Sequence, residues 1–225
     1  TKSLDMIIAQ ISDFHIMDPD NPIEAVNQTA KHLRAAIAHI NAMKPLPDVV
    51  IGTGDLVNKG KTSEYALLRT ILAPLKPRLL LIPGNHDHRE NLKAAFPEHE
   101  YLNQDSDFLH YALDEYPMRL IGLDTLIPGE PGGELCSTRC DWLGDRLAEQ
   151  PDRPTVIFLH HPPFRTGIWH MDNMGLTGAE RFADVVRNHP QVERVLCGHL
   201  HRPITTSVAG TVVTVAPGTA HQIEL

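Results

Sequence analysis

The stretch from Leu81 to Asp87 reads Leu, Ile, Pro, Gly, Asn, His, Asp, an apolar run that breaks on a Pro-Gly turn and sets an amide, an imidazole and a carboxylate side by side. Such a trio can edge a metal site, although Pro-Gly-Asn is also ordinary turn chemistry and Asp87 or His88 can simply open the next helix. The context is four more stretches of the same kind. Ser12-Asp13-Phe14-His15, Gly54-Asp55-Leu56-Val57-Asn58, His160-His161-Pro162-Pro163 and Cys197-Gly198-His199-Leu200-His201 each follow a short apolar run. Asp13, His15, Asp55, Asn85, His160, His199 and His201 are too many ligands for one ion and suit two that share a carboxylate. Imidazole, carboxylate and amide donors without thiolates fit Zn, Mn, Fe or Co and disfavour a structural zinc knot. Two such ions about 3.5–4 Å apart clamp a phosphoryl group and acidify a bridging water, so the chemistry expected is phosphoester hydrolysis.

The elements that must position these residues follow from hydrophobic pattern. Met6 to Ile11, Asp48 to Thr53, Arg78 to Ile82, Thr155 to Leu159 and Val192 to Leu196 read as buried strands, each ending at a candidate ligand. A helix is expected from about Ile23 to Met43, with Val26, Ala30, Leu33, Ile37 and Ile40 on one stripe and His32 and His39 off it. Another spans about Ser63 to Leu75, and further helices fall near Thr138 to Glu149 and Ala179 to Asn188. Phe108 to Leu113 and Met118 to Leu123 read as an antiparallel pair, and Ile204 to Val208 with Thr211 to Val215 as a hairpin. Strand and helix alternate through the first half, so the class is α/β, in which ligands gather at the carboxyl ends of the strands.

Several polar residues have two readings at this level. Asp124 ends a strand and is either a ligand or a turn former. Asp87 is expected to orient an imidazole from behind the ligands, and Asn58 and His161 are near the site or structural. Phe164 to Thr177, with Trp169, His170, Met171 and Asp172, is a substrate-facing flap or a self-packed loop. His88, His99, His110 and His189 read as surface or core histidines.

The 225 residues, 42% of them hydrophobic, suffice for a large core. A net charge of -8 argues against a nucleic-acid polymer or an anionic membrane as partner, so a phosphate-bearing substrate needs a local positive source, which metal ions supply. Three cysteines, Cys136, Cys140 and Cys197, do not make a disulfide framework, and a reducing cytoplasm is the expected location. No apolar run nears the roughly 20 residues of a membrane-spanning helix. No secretory signal pattern opens the chain, which starts at Thr1, leaving a removed leader open.

Asp13 with His15, Gly54 with Asp55, Gly84-Asn85-His86, His160, and Gly198-His199 with His201 resemble, block by block and in order, the calcineurin-like metallophosphoesterases. The finer texture, Ile-Ser-Asp-Phe-His, Gly-Asp-Leu-Val-Asn, His-His-Pro-Pro and Pro-Gly-Thr-Ala-His-Gln, is similar to bacterial class III cyclic nucleotide phosphodiesterases and related glycerophosphodiesterases. The resemblance implies two mixed β-sheets packed face to face and flanked by helices, an αββα sandwich. It implies one metal held by Asp13, His15, Asp55 and His201, and a second held by Asp55, Asn85, His160 and His199, with Asp55 bridging. His86 is then the catalytic residue, stabilising charge or donating a proton to the leaving oxygen, and Asn85, His86, His221 and His170 are candidate substrate contacts.

The expected activity is metal-hydroxide attack on the phosphorus of a small phosphodiester such as cyclic AMP. A glycerophosphodiesterase or a phosphomonoesterase is the alternative, and a non-catalytic scaffold the reading from a different class. Residues 1–225 are expected to form one domain. The resembled enzymes continue past the Pro-Gly-Thr block into a segment that caps the site or builds a dimer, and this chain ends at Leu225, so a homodimer stays open.

Overall fold

The apolar runs of the sequence become the strands of two sheets in the computed structural model, which describes residues 5–103 and 106–223. The first sheet is parallel, in the order β1 (Ile8–Ile11), β2 (Val49–Thr53), β3 (Arg78–Ile82). Between these strands run α1 (Glu24–Asn27), α2 (Thr29–Ala42) and α3 (Thr62–Leu72), and α4 (Arg89–Ala95) follows β3. The chain then passes into β4 (Tyr111–Leu113), β5 (Arg119–Leu123), the short β6 (Gly133–Glu134), α5 (Ser137–Ala148) and β7 (Thr155–Leu159). It ends through α6 (Trp169–Asp172), β8 (Leu176–Thr177), α7 (Ala179–Arg187), β9 (Val192–Cys197), β10 (Ile204–Val208) and β11 (Thr211–Val215). The second sheet is mixed, in the order β10-β11-β9-β7-β5-β4, and β6 pairs with β8 as a separate two-stranded ladder.

The period of two in the second sheet explains why it lies in the middle of the molecule. Leu120, Val156, Phe158 and Leu196 point into a core shared with the first sheet, whereas Ile121, Ile157, Val195 and Cys197 point to a core closed by α5 and α7 through Leu143, Leu147, Phe182 and Val186. The outer face of the first sheet is covered by Leu33, Ile37 and Ile40 of α2 and by Tyr65, Leu68 and Ile71 of α3. Helices, sheet, sheet and helices make the expected αββα layering, but only the second sheet is mixed as expected; the first is all parallel because helices connect its strands. Tyr111 ties the two sheets directly, its hydroxyl donating to the Leu81 carbonyl at 2.8 Å.

Local chemistry moves some boundaries. The helix expected over 23–43 breaks at Gln28, which takes a left-handed φ of 48°. The Glu24 carboxylate accepts from the backbone N–H groups of Thr29 at 3.0 Å and Ala30 at 3.2 Å, so it caps α2 in a way a continuous helix would forbid. Val26, placed on the buried stripe by periodicity, is 79% exposed as a result. Pro74 ends α3 three residues before the expected Leu75. The strand expected from Phe108 begins only at Tyr111, because the Leu109 N–H donates to the Asp124 carboxylate instead of a ladder.

His32 and His39 are exposed, and His110 is buried with its ring stacked 4.2 Å from that of Trp142. All three cysteines are free thiols. Among the described residues no helix is long and apolar enough to cross a membrane.

Phe158 is fully buried between the sheets, with its ring centroid 5.8 Å from that of Tyr111. Phe158→Ala should cost about 3–5 kcal/mol of stability by leaving a cavity there. Urea unfolding checks it, through a lower midpoint at unchanged slope.

Candidate metal centre

Five parallel strands deliver the candidate ligands to one edge. Asp13 and His15 follow β1, Asp55 follows β2, Asn85 follows β3, His160 follows β7, and His199 and His201 follow β9. The loops are stitched by backbone bonds, from Asp13 N–H to the Gly54 carbonyl at 3.1 Å, from His15 N–H to the Asp55 carbonyl at 2.9 Å, and from Gly198 N–H to the His160 carbonyl at 3.0 Å. Their conformation is costly. Of the seven non-glycine residues with positive φ among the described residues, five are Asp13, His15, Asp55, His199 and His201. L-residues avoid this region, and backbone strain of this kind collects at functional sites.

Two glycines allow the close approach. A Cβ on Gly84 would land on the Asp55 carboxylate, and one on Gly198 would meet the Ser12 hydroxyl and lie 2.9 Å from Asp13 Oδ2. Glycine is therefore required at both positions by space.

The side chains converge. One oxygen of Asp55, Oδ2, lies 3.5 Å from His15 Nε2 and 3.4 Å from His160 Nε2, so a single carboxylate faces imidazoles on both sides. Its other oxygen accepts from the His86 N–H at 2.9 Å. On one side Asp13, His15, Asp55 and His201 bring their donor atoms within 4.8 Å of one another, with His201 Nε2 3.3 Å from Asp13 Oδ1 and 3.1 Å from His15 Nε2. On the other side Asn85 Oδ1 lies 3.1 Å from His160 Nε2, and His199 joins the group.

The imidazoles are aimed by backbone carbonyls. His160 Nδ1 is 2.8 Å from the Thr53 carbonyl, His201 Nδ1 3.0 Å from that of His221, and His199 Nε2 3.0 Å from that of Met174. Since a carbonyl only accepts, each of these nitrogens carries a proton and the opposite nitrogen faces inward, where it offers a lone pair once the ring is neutral. Asp13, Asp55, His15, His160, His199 and His201 are all buried. Such a pocket of inward-facing imidazole nitrogens and two buried carboxylates suits a dinuclear metal site.

Electrostatics sharpen the fit. Burial is the largest influence on Asp55 and would raise its pKa, yet the charge and the hydrogen bond of His160 hold it well below the usual carboxylate value. Burial likewise opposes ionisation of Asp13, and the hydrogen bond and charge of His201, with the charge of His160, keep it low. Burial drives His199 down to about 3 and His15 down to about 4, leaving both neutral and available as ligands. His160 goes the other way. Burial would lower it, but the charge and hydrogen bond of Asp55 lift it to about 9.

The remaining expectations separate. His221 joins the centre, its ring 4.4 Å from that of His201 and 5.1 Å from that of His15. His170 stands exposed on α6 and shares none of these ring contacts. The loop that carries it folds around Asp172, which accepts from Thr166 and Gly167, so it is self-packed.

Asp87 corrects an expectation. It orients no imidazole, and instead its carboxylate accepts from the N–H groups of Gly84, Leu56 and Val57 and from the Tyr65 hydroxyl, pinning the Asn85 loop to the Asp55 loop. The turn from Gly84 to Asp87 folds that side chain back into its own loop. Asp124 holds Arg89 by two bonds, of 2.6 and 3.0 Å, and so anchors the helix that follows His86 to the second sheet. His161 is buried among the other imidazoles with both nitrogens engaged, Nδ1 by Thr125 Oγ1 at 2.8 Å and Nε2 by the Pro131 carbonyl at 3.3 Å.

Residues 6–203 match the family model described as calcineurin-like phosphoesterase. The chain belongs to that family. It is 39% identical over 98% of its length, and 81% of the relative's, to a protein of Arcobacter nitrofigilis described as a probable glycerophosphodiester phosphodiesterase GpdQ. It is also 27% identical, over 96% of its own length and 77% of the relative's, to the 3',5'-cyclic adenosine monophosphate phosphodiesterase CpdA of Vibrio vulnificus. A dimetal phosphatase from Danio rerio shares the fold at a TM-score of 0.75 and 16% identity, over 96% of this chain and 88% of that one. The phosphoesterase is accordingly a metal-dependent hydrolase, and its clustered His and Asp residues suit a dinuclear site.

A groove of about 1060 Å³ is bordered by Pro162, Pro163, Phe164 and Arg165 and by residues of the β8 and α7 region such as Thr177 and Arg181, and none of the clustered side chains lines it. The chemistry is assigned to the imidazole and carboxylate cluster because the donor atoms are there.

Two outcomes follow for the metal-free phosphoesterase. Gly84→Ala should abolish tight uptake of ions while leaving the secondary structure intact, checked by metal analysis beside circular dichroism. His160 holds its proton up to about 9, above the 6.5 of a free imidazole, so ion uptake below that pH must expel a proton and apparent affinity should fall as pH falls. Calorimetry at pH 7 in buffers of different ionisation enthalpy measures that release, and heats independent of the buffer would contradict it.

Proposed function

We propose that this phosphoesterase is a binuclear metal-dependent phosphodiesterase that hydrolyses small phosphodiesters. The observation that carries the reading is the Asp55 carboxylate, one oxygen of which faces His15 at 3.5 Å and His160 at 3.4 Å. Asp13, His15, Asp55 and His201 would hold one ion, and Asp55, Asn85, His160 and His199 the other. When bound, such ions supply Lewis acidity and lower the pKa of water toward neutrality.

The rest of the step belongs to the chain's own residues. His86 donates its Nδ1–H to the Asn58 carbonyl at 2.8 Å, and its ring meets that of His15 edge-on at 4.7 Å. Its Nε2 is the atom left to hold a proton for the leaving oxygen or to offset charge gathering on the phosphoryl group. His221, whose Nδ1 is buried with no hydrogen-bond partner among the described residues, borders the same space and is the candidate for a second polar contact to substrate. Asn85 contributes its amide from the loop that carries His86.

Two substrate classes have support. The relative at 39% identity is described as a probable glycerophosphodiester phosphodiesterase, which supports glycerophosphodiesters as the first reading, and the CpdA relative at 27% supports 3',5'-cyclic nucleotides as the second. The deciding assay compares glycerophosphoethanolamine, cyclic AMP and an aryl phosphate monoester, with metal-stripped protein reconstituted with Mn, Fe, Co or Zn. Metal-dependent turnover of a diester well above the monoester is expected, and preference for the monoester would overturn the reading.

His86→Ala should keep both ions, because the His86 contact to Asp55 is made by its backbone N–H. Turnover should fall on the order of 10²–10⁴-fold, as when a positioned proton donor is lost. Near-normal turnover in the fully loaded variant would remove His86 from the mechanism.

A further inference from the structure

The β6–β8 ladder lies against the centre, and the assigned reaction gives it no role. Gly133 N–H donates to the Gly175 carbonyl at 3.1 Å and Leu135 N–H to the Thr177 carbonyl at 2.8 Å, so the segments 131–135 and 174–177 are bonded into one unit. Two carbonyls of this unit reach into the imidazole cluster. Met174 accepts from His199 Nε2 at 3.0 Å, and Pro131 faces His161 Nε2 at 3.3 Å. The rings of His161 and His199 are themselves 4.5 Å apart.

Space is tight throughout. A Cβ on Gly133 would land on the His161 ring, one on Gly178 would land on the Leu135 carbonyl, and one on Gly132 would lie 3.2 Å from the Gly175 carbonyl and 3.6 Å from the Met174 carbonyl carbon. Gly178 also has a left-handed φ of 85°, at the junction of β8 and α7.

We infer that the β6–β8 ladder is a clasp for the second cation, in which the Met174 carbonyl fixes the tautomer and the direction of His199. His160 is aimed by the Thr53 carbonyl and His201 by that of His221, whereas His199 takes its direction from Met174, the residue that leads into β8. An amide acceptor holds the proton on Nε2, which leaves Nδ1 as the metal-facing nitrogen. Outer partners of this kind typically change metal affinity by about 10–100-fold. Among the described residues no hydrogen bond joins the side chains of Asp13, His15, Asp55 or His201 to the clasp, so the effect should fall on one site of two.

The inference rests on the two-ion reading above, and the test separates them. Ion stoichiometry and stepwise affinities for Mn and Co, measured by competition with a chromophoric chelator, are compared for the wild type, Gly178→Ala and Gly132→Val. Both variants push on the ladder from outside the ligand set. The expected result is an unchanged first ion and a second ion bound about 10–100-fold more weakly. Unchanged affinity for both ions in both variants would overturn the clasp and leave the two-ion reading standing, whereas a wild type that binds fewer than two ions would overturn that reading itself.

Long-range ¹H–¹⁵N spectra of the metal-free wild type give a second readout that needs no variant to fold. His199 protonated on Nε2 supports the clasp, and His199 protonated on Nδ1 overturns it.

Discussion

The Asp55 carboxylate is the constraint from which the rest of the structure follows. It is 2% exposed, faces His15 and His160 through one oxygen and accepts the His86 N–H through the other. A buried carboxylate persists as an anion only if its surroundings supply positive charge and hydrogen bonds. Everything that touches it must therefore arrive from a different strand: His15 from β1, His86 from the loop after β3, and His160 from β7. Two sheets packed face to face satisfy this requirement, since their parallel strands end on one edge and each end can contribute one or two side chains.

Convergence has conformational and steric consequences. Ligands on separate loops can crowd one point only if those loops turn sharply, which accounts for the positive φ at Asp13, His15, Asp55, His199 and His201. Strain at so many positions must be offset elsewhere. The fully buried β2 and β7, and buried polar braces such as Asp87 across the Asp55 and Asn85 loops and Arg89 with Asp124 between the sheets, supply that support. The scaffold is buried and cross-bonded where the chemistry is placed, which matters for a site whose reacting groups must keep their geometry.

The imidazoles show how an outer layer completes the centre. Thr53, Asn58, Met174 and His221 each present a backbone carbonyl to one ring nitrogen of a histidine, so the opposite nitrogen is the one turned to the centre. Backbone acceptors are indifferent to side-chain identity. That makes the arrangement robust to substitution, and it leaves no trace in residue type.

The sequence by itself determined the strands, their order and the side chains at their ends. Short apolar runs stopped by Asp, Asn or His have one physical reading, a buried strand that ends at a polar edge, and Arg78–Ile82, Thr155–Leu159, Ile204–Val208 and Thr211–Val215 stand where periodicity put them. His221 was legible as a candidate and lies with the cluster, whereas His170, drawn from the same kind of signal in a long loop, is exposed on α6. The break at Gln28, where a Glu24 carboxylate caps α2, is local chemistry that periodicity does not register, whereas only the tertiary structure decided the role of Asp87, which reaches amides 30 and 31 residues away. It alone decided which nitrogen of each imidazole faces inward. Periodicity records how one chain segment meets a core, while bonds to backbone carbonyls of distant loops depend on where the whole fold brings those loops, and no local pattern encodes that.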